Sequence, residues 1–264
     1  MVLMKFRRAL TKRSPRAFWR ALAKLTPVAD AAVPIFPPIP LDTLRNAGYT
    51  SQLGQDFLVD QVFFRGVPPG VFVEVGAHDG IHFSNTYFLE TVRGWTGLCV
   101  EPNPAFTETL RENRKCAVAT VAVGSEAGLV DFSSVKGPSG LSGVSAHFNR
   151  RHQKRINKEV RASFGRIDRV PVPQKTLQSV LDEHQISRID VLTVDTEGSE
   201  LRVLEGIDFG RTCISMIFVE RNYSSQGVVR LLKRVGFLRV LALGFDDLYL
   251  RRDLIPGDGA LEME

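Results

Sequence analysis

Phe72-Val-Glu-Val-Gly-Ala-His-Asp-Gly80, with Gly97-Leu-Cys-Val-Glu101 behind it, is the stretch on which the fold turns. The first segment reads as a hydrophobic strand running into a turn with two glycines, and the second as a strand ending in an acid. In open α/β sheets ligands bind beyond the carboxyl ends of the strands, so the loop after Val75 is where a bound molecule belongs. Gly76 and Gly80 lack a Cβ, which permits positive φ and close approach of a ligand to the backbone. Glu74, Gly76, Ala77, His78 and Gly80 are therefore expected around that ligand. Ser84 and Asn85 open the next helix, Ser84 as its N-cap, and the unpaired amides of such a terminus suit a carboxylate. Glu101, followed by Pro102, is placed to accept hydrogen bonds from two ribose hydroxyls; capping of a helix near Pro104 is the structural alternative. Val123, at the end of the third strand, completes the set of contact positions.

A ligand with a ribose, a carboxylate and a cationic amino group is S-adenosyl-L-methionine, and this is the cofactor the pattern predicts. An NAD-type oxidoreductase shares the strand-end acid. Against it, the turn is Gly-x-x-x-Gly, and His78 stands where a pyrophosphate needs a second glycine. Glu74 beside the turn would repel a diphosphate and attract an ammonium group. Asp195-Thr-Glu197-Gly198 follows another apolar strand and returns to the same sheet edge. Methyl transfer to a hydroxyl requires alignment of oxygen, carbon and sulfur and removal of the proton. Asp195 or Glu197 is the candidate base, the alternative being loop and helix-cap acids. His78 and His82 flank the turn and either can serve instead, given an ordinary pKa of about 6.5. Glu220-Arg-Asn-Tyr223 ends a further strand and can line an acceptor pocket, and the spacing of the acids assigns no metal ligand.

Outward from this centre, helical patterns at Gln55–Phe64, Ser84–Val92, Pro104–Asn113, Thr176–His184, Ser199–Leu204 and Ser225–Val235 alternate with strands. The strands are Val71–Val75, Gly97–Val100, Ala117–Val123, Leu129–Ser133, Val191–Val194 and Ile214–Val219. The alternation predicts an α/β fold, a mainly parallel sheet with helices on both faces. Leu238–Leu243 and Leu248–Arg251, meeting at Gly244-Phe-Asp-Asp247, should add an antiparallel hairpin at its edge. Val135–Arg169 is rich in glycine and serine and then basic. It interrupts the alternation and reads as an insertion, either a lid or anion-recognising segment or a solvated face. Residues 41–264 form the domain; 1–40 form a tail and a linker, Ala31–Pro40, extended by four prolines.

The 264 residues suit one sizeable domain. A hydrophobic share of 44% and a charged share of 24% exclude wholesale disorder and a membrane bundle. Cys99, Cys116 and Cys213 are too far apart for a Cys-x-x-Cys zinc site or disulfide framework. Met1–Ala29 carries eight cations and no acid, so removing it from the net +5 leaves −3. Arg150–Arg169 carries eight cations against Glu159 and Asp168, and these two patches set the pI near 9.3. Within Pro15–Leu25, Phe18, Leu22 and Leu25 share a helical face that can lie on an anionic membrane, or the segment is a solvated tail. The start also resembles an organellar transit peptide, but no apolar run supports a secretory signal or a span. The expectation is a cytoplasmic protein, peripheral to the membrane through 1–29, with no nucleic-acid partner because the second basic run lacks interleaved aromatics apart from Phe148 and Phe164. Oligomeric state leaves no mark. A membrane-surface protein retaining the cofactor fold without turnover is the non-enzyme alternative.

The combined motifs resemble those of the FkbM-type methyltransferases. The likeness rests on Ser51-Gln-x-Gly-Gln-Asp56, Phe72–Gly80, Ser84-Asn-Thr86, Leu89-Glu90, Gly94-Trp-x-Gly97, Glu101-Pro-x-Pro104 and Asp190-Val-Leu-Thr-Val-Asp-Thr-Glu-Gly-Ser-Glu-Leu201, and covers roughly 48–250. It implies a class I methyltransferase, Rossmann-like fold and O-methylation of a small-molecule or saccharide hydroxyl. Family members commonly carry Asn where this chain has His78.

Overall fold

The computed structural model describes residues 39–221 and 226–255. The basic tail, all but the end of the proline-rich linker, and Asn222, Tyr223 and Ser225 lie outside the described residues.

The chain begins with α1 (Leu41–Asn46) and α2 (Gln55–Leu58), the latter running on as a π-helical turn through Phe63. Then come β1 (Val71–Val75), α3 (Tyr87–Arg93), β2 (Thr96–Val100), α4 (Thr107–Asn113), β3 (Ala117–Ala119), β4 (Ala122–Gly124), β5 (Gly128–Lys136) and β6 (Gly143–Val144). They are followed by α5 (Arg150–Ala162), β7 (Arg166–Thr176), α6 (Leu177–Glu183), β8 (Arg188–Val194), α7 (Glu200–Glu205), β9 (Cys213–Glu220), α8 (Gln226–Arg234), β10 (Phe237–Leu243) and β11 (Asp246–Arg251). Among the described residues no helix is long and apolar enough to cross a membrane.

A strand covered on both faces must be apolar at successive positions. In β1, Phe72 enters one core with Leu89, Trp95 and Leu110, while Val73 and Val75 enter the opposite core with Leu177, Leu181 and Leu232. The resulting seven-stranded sheet has the order β10-β11-β9-β8-β1-β2-β3. Pairing from β3 to β9 is parallel, and the β10–β11 hairpin is antiparallel, with β11 on β9 and β10 at the edge. The chain progresses outward from β1 through β2 to β3, then resumes at β8 on the other side. Strand order therefore reverses between β1 and β8, where the diverging crossovers leave a crevice.

The sequence expectations need correction in three places. The single strand Ala117–Val123 is two: Ala117–Ala119 pairs with β2, whereas Ala122–Gly124 leaves the main sheet to pair with β7. The span Val135–Arg169 is not without alternation. β5 and β7 pair antiparallel from Gly128↔Gln174 to Lys136↔Arg166 and, with β4 and β6, form a second sheet of order β4-β7-β5-β6. Its inward pattern, Phe132, Val144 and Val172, is hidden in sequence by the prolines and arginines of β7. Finally, α3 and α4 begin at Tyr87 and Thr107, each three residues later than expected.

Candidate active site

A cavity of about 740 Å³ opens at the carboxyl ends of β1, β2, β8 and β9. Glu74, Gly76, Ala77, His78, Ser84, Asn85, Glu101, Pro102 and Val123 line it, together with Asp195, Glu197 and Glu220. Residues 137–144 and Arg155 and Glu159 of α5 also line it, so the second sheet and its helix form part of the wall. Gly80 is not part of the lining. It has φ +85, and a Cβ there would meet Leu110 Cδ1 at 2.7 Å and Arg114 Cγ at 2.8 Å, so it serves packing against α4.

The turn after β1 is fixed by its neighbours. Gly76 and Ala77 both donate to the Val100 carbonyl, at 2.9 and 3.2 Å, and Asp195 donates its amide to the Val75 carbonyl at 3.0 Å. At Gly76, φ +90, a Cβ would lie 1.7 Å from the Asp195 carbonyl oxygen. Only glycine fits where the ends of β1 and β8 touch.

Glu74 does not offer a free charge to a ligand. It is 3% exposed and accepts from Ser84 Oγ (2.8 Å), Asn85 N (2.7 Å) and Thr86 Oγ1 (2.6 Å), while Arg114 forms an ion pair with it at 3.0 Å. A carboxylate buried this deeply requires such pairing. Arg114, wholly buried, also pairs with Glu90 and donates to Thr86 Oγ1. No sequence pattern pointed to Arg114, which lies in a short polar stretch just before β3. Its charge cancels the electrostatic argument that Glu74 made against a diphosphate. The amides opening α3 are committed too: Asn85 N to Glu74, and Thr86 N and Tyr87 N to Ser84 Oγ. The helix start is therefore not a free carboxylate site, and Ser84 caps from three residues before the first helical position. Asn85 Oδ1, by contrast, is buried without a hydrogen-bond partner, in a residue lining the cavity.

Glu101 is 6% exposed and accepts backbone hydrogen bonds from His78 (2.9 Å) and Asn103 (2.8 Å). Burial pushes its pKa up to about 7, with the two amides opposing and the charge of Asp195 adding to the rise. A carboxylate has about four lone-pair sites, so capacity remains for further donors. His78 adopts φ +51, stacks on Phe106 at 3.9 Å and has Nε2 2.9 Å from Ser139 Oγ. Its Nδ1 is 3.7 Å from Asp79, too far for a hydrogen bond. Burial lowers its pKa and favours the neutral ring. His82 is exposed at the edge of the same cavity.

The acidic wall is the most polarised part. Asp195, Glu197 and Glu220 each bring a carboxylate oxygen within 4.8 Å of the others, a set that could hold a metal ion. Asp195 is exposed within the open cavity and hydrogen-bonded to Glu220. Burial and then the neighbouring carboxylates raise the pKa of Glu220 and favour its protonated form. Glu197 sits in the left-handed region at φ +53 and is raised to about 8, first by burial and then by Asp195. Non-glycine residues in this region are uncommon, and they cluster at functional sites.

Two contributors escaped sequence reading. His152, on the buried face of α5, places Nδ1 3.5 Å from Glu197 Oε2. Its recurrence with Ile156 at helical spacing was the available signal, masked by the surrounding cations. Asp246, at the hairpin turn, is buried, accepts from Gln55 and is raised to about 7 by burial and by Asp195.

A family model described as "Methyltransferase FkbM domain" matches residues 74–239. No curated protein matches the chain. Among solved structures, a crystal structure of a mutant of MtNAS is similar at 15% identity and TM-score 0.36, over 95% of this chain and 69% of that one. The family match spans more than half of the sequence and includes the Gly76 turn, Glu101 and all three acids of the cavity wall: the chain belongs to the FkbM methyltransferase family.

Proposed function

We propose that this protein is an S-adenosyl-L-methionine-dependent O-methyltransferase acting on a hydroxyl of a saccharide or another small metabolite, in the cytoplasm. The observation that carries the proposal is one cavity lined both by the Gly76 turn with Glu101 and by three carboxylates, Asp195, Glu197 and Glu220. The position of that cavity at the β1/β8 reversal supports a Rossmann-like arrangement. Residues that would hold the cofactor are Glu101, through its remaining lone pairs toward ribose hydroxyls, Asn85, through its unpartnered Oδ1 toward an amino group, and the Ala77–His78 backbone. When bound, the cofactor supplies an electrophilic methyl group on a sulfonium.

The protein's own task is to hold a hydroxyl and receive its proton. Hydroxyl groups donate readily to carboxylates, so an acidic wall suits a polyol. Asp195, which lines the cavity and is hydrogen-bonded to Glu220, is the first candidate base. Glu197 is largely protonated below about 8, and gains basic capacity above it. His78, neutral with Nδ1 unpaired, is the other candidate. Transfer of labelled methyl from S-adenosyl-L-methionine to fractionated cell metabolites, read by mass spectrometry, tests the proposal. Product should appear on an oxygen and fall at least about 100-fold for Asp195→Asn, as loss of a general base predicts. Labelling of carbon or nitrogen alone, or equal turnover in Asp195→Asn, Glu197→Gln and His78→Ala, would overturn it.

A further inference from the structure

Helix α5 carries a second pattern, of which the cavity uses only Arg155. At about 100° per residue, Arg150, Arg151, Lys154, Arg155, Lys158 and Arg161 fall within an arc of about 140°, over roughly 17 Å of helix. All six are exposed, while His152 and Ile156 point the other way and are buried. Arg155 pairs with Glu159, but among the described residues the other five have no ion-pair partner. Packing six like charges along one face costs repulsion, which Glu159 relieves only at Arg155. At its C-terminal end stands Phe164, 98% exposed at φ +51, followed by the exposed Ile167.

We infer that this face of α5 docks on an anionic membrane surface, with the cations over lipid headgroups and Phe164 entering the interface. Charge complementarity selects the occupant: a cluster of six exposed cations on one helix face, with an exposed apolar side chain just beyond the helix end, suits an anionic lipid surface. Met1–Ala29, with eight cations and no acid, adds charge of the same sign. A single-stranded nucleic acid needs several stacking aromatics along the basic track, and α5 itself contains none. Arg155 belongs to both the stripe and the cavity lining, so the docked face adjoins the acceptor site. The inference stands on the helix surface and is independent of the reaction proposed for the cavity.

Vesicle co-sedimentation of the full chain tests it, comparing pure phosphatidylcholine with vesicles containing about 30% phosphatidylserine. Binding should require the anionic lipid. Arg150→Glu/Lys154→Glu/Lys158→Glu should weaken it at least about tenfold, and Phe164→Ala several-fold, with the tail intact. The control Arg65→Glu/Arg111→Glu/Arg234→Glu makes the same change in net charge on exposed residues elsewhere and should bind nearly as wild type. All changed side chains are exposed, and unaltered melting temperatures would confirm that the variants fold. Equal weakening by the control triple, undiminished binding by the α5 triple, or absence of vesicle binding alongside tight binding of a fluorescent oligouridine would each overturn the inference.

Discussion

Replacing Glu197 by glutamine should make the protein more stable at alkaline pH, by an amount that grows with pH. Glu197 is 9% exposed and shares the cavity wall with Asp195, so ionising it places a second negative charge in a poorly solvated site. Its pKa rises from the ordinary 4.5 to about 8. At about 1.4 kcal/mol per unit, the penalty for the ionised form in the folded state approaches 4–5 kcal/mol, an upper value because Asp195 and Glu200 share in it. The sign follows from linkage: a raised carboxyl binds its proton more tightly when folded, so stability present below 4.5 is lost as pH climbs through about 8. Glutamine cannot ionise and escapes that loss, whatever constant cost it brings through altered hydrogen bonding. Urea titrations of wild type and Glu197→Gln between pH 5 and 9 should show their stability difference shifting in favour of the variant by roughly 3 kcal/mol across the range. A difference that stays flat, or moves toward wild type, would refute the placement of Glu197 in a buried acidic group.

Arg114→Met leaves Glu74 and Glu90 buried without their cation and should cost about 3–5 kcal/mol in urea unfolding. Adding Glu90→Gln should recover part of that loss, and strictly additive losses would deny the coupling. Gly76→Ala, with its Cβ set 1.7 Å from the Asp195 carbonyl, should prevent folding or lower stability by more than about 3 kcal/mol; a melting temperature near wild type would contradict the contact between β1 and β8. In the methyl-transfer assay, kcat should rise with pH through about 8 as Glu197 ionises, and Glu197→Gln should lose that inflection. A wild-type profile level from pH 6 to 9 would count against a role for this carboxyl in turnover.

The main sheet was legible because its central strands are short apolar runs ending in acids, and β1 from Phe72 and β2 from Leu98 are buried as that pattern requires. The hairpin at Gly244 was legible from its turn. The second sheet was not, since β7 carries two prolines and three cations, and its pairing with β5 joins residues up to 46 positions apart, Gly128 with Gln174. At the site, residue types at strand ends located Glu101, Asp195 and Glu197 around one cavity. What periodicity could not convey was partnership. Glu74 looked like a ligand contact because its acid is written in the sequence, while the Arg114 that neutralises it comes from 40 residues downstream. His152 was likewise concealed, since a histidine among arginines reads as part of a charged surface until the helix face it occupies is known.

Isothermal titration of the full chain with S-adenosyl-L-methionine, and separately with NAD, tests the central claim that the cavity beside the Gly76 turn is a methyl-donor site. Saturable binding of S-adenosyl-L-methionine, at least about 100-fold weaker in Glu101→Ala because two hydroxyl contacts to a charged acceptor are lost, and no comparable binding of NAD, is the predicted result. Absence of S-adenosyl-L-methionine binding by the folded wild-type protein, or tighter binding of NAD, would contradict it.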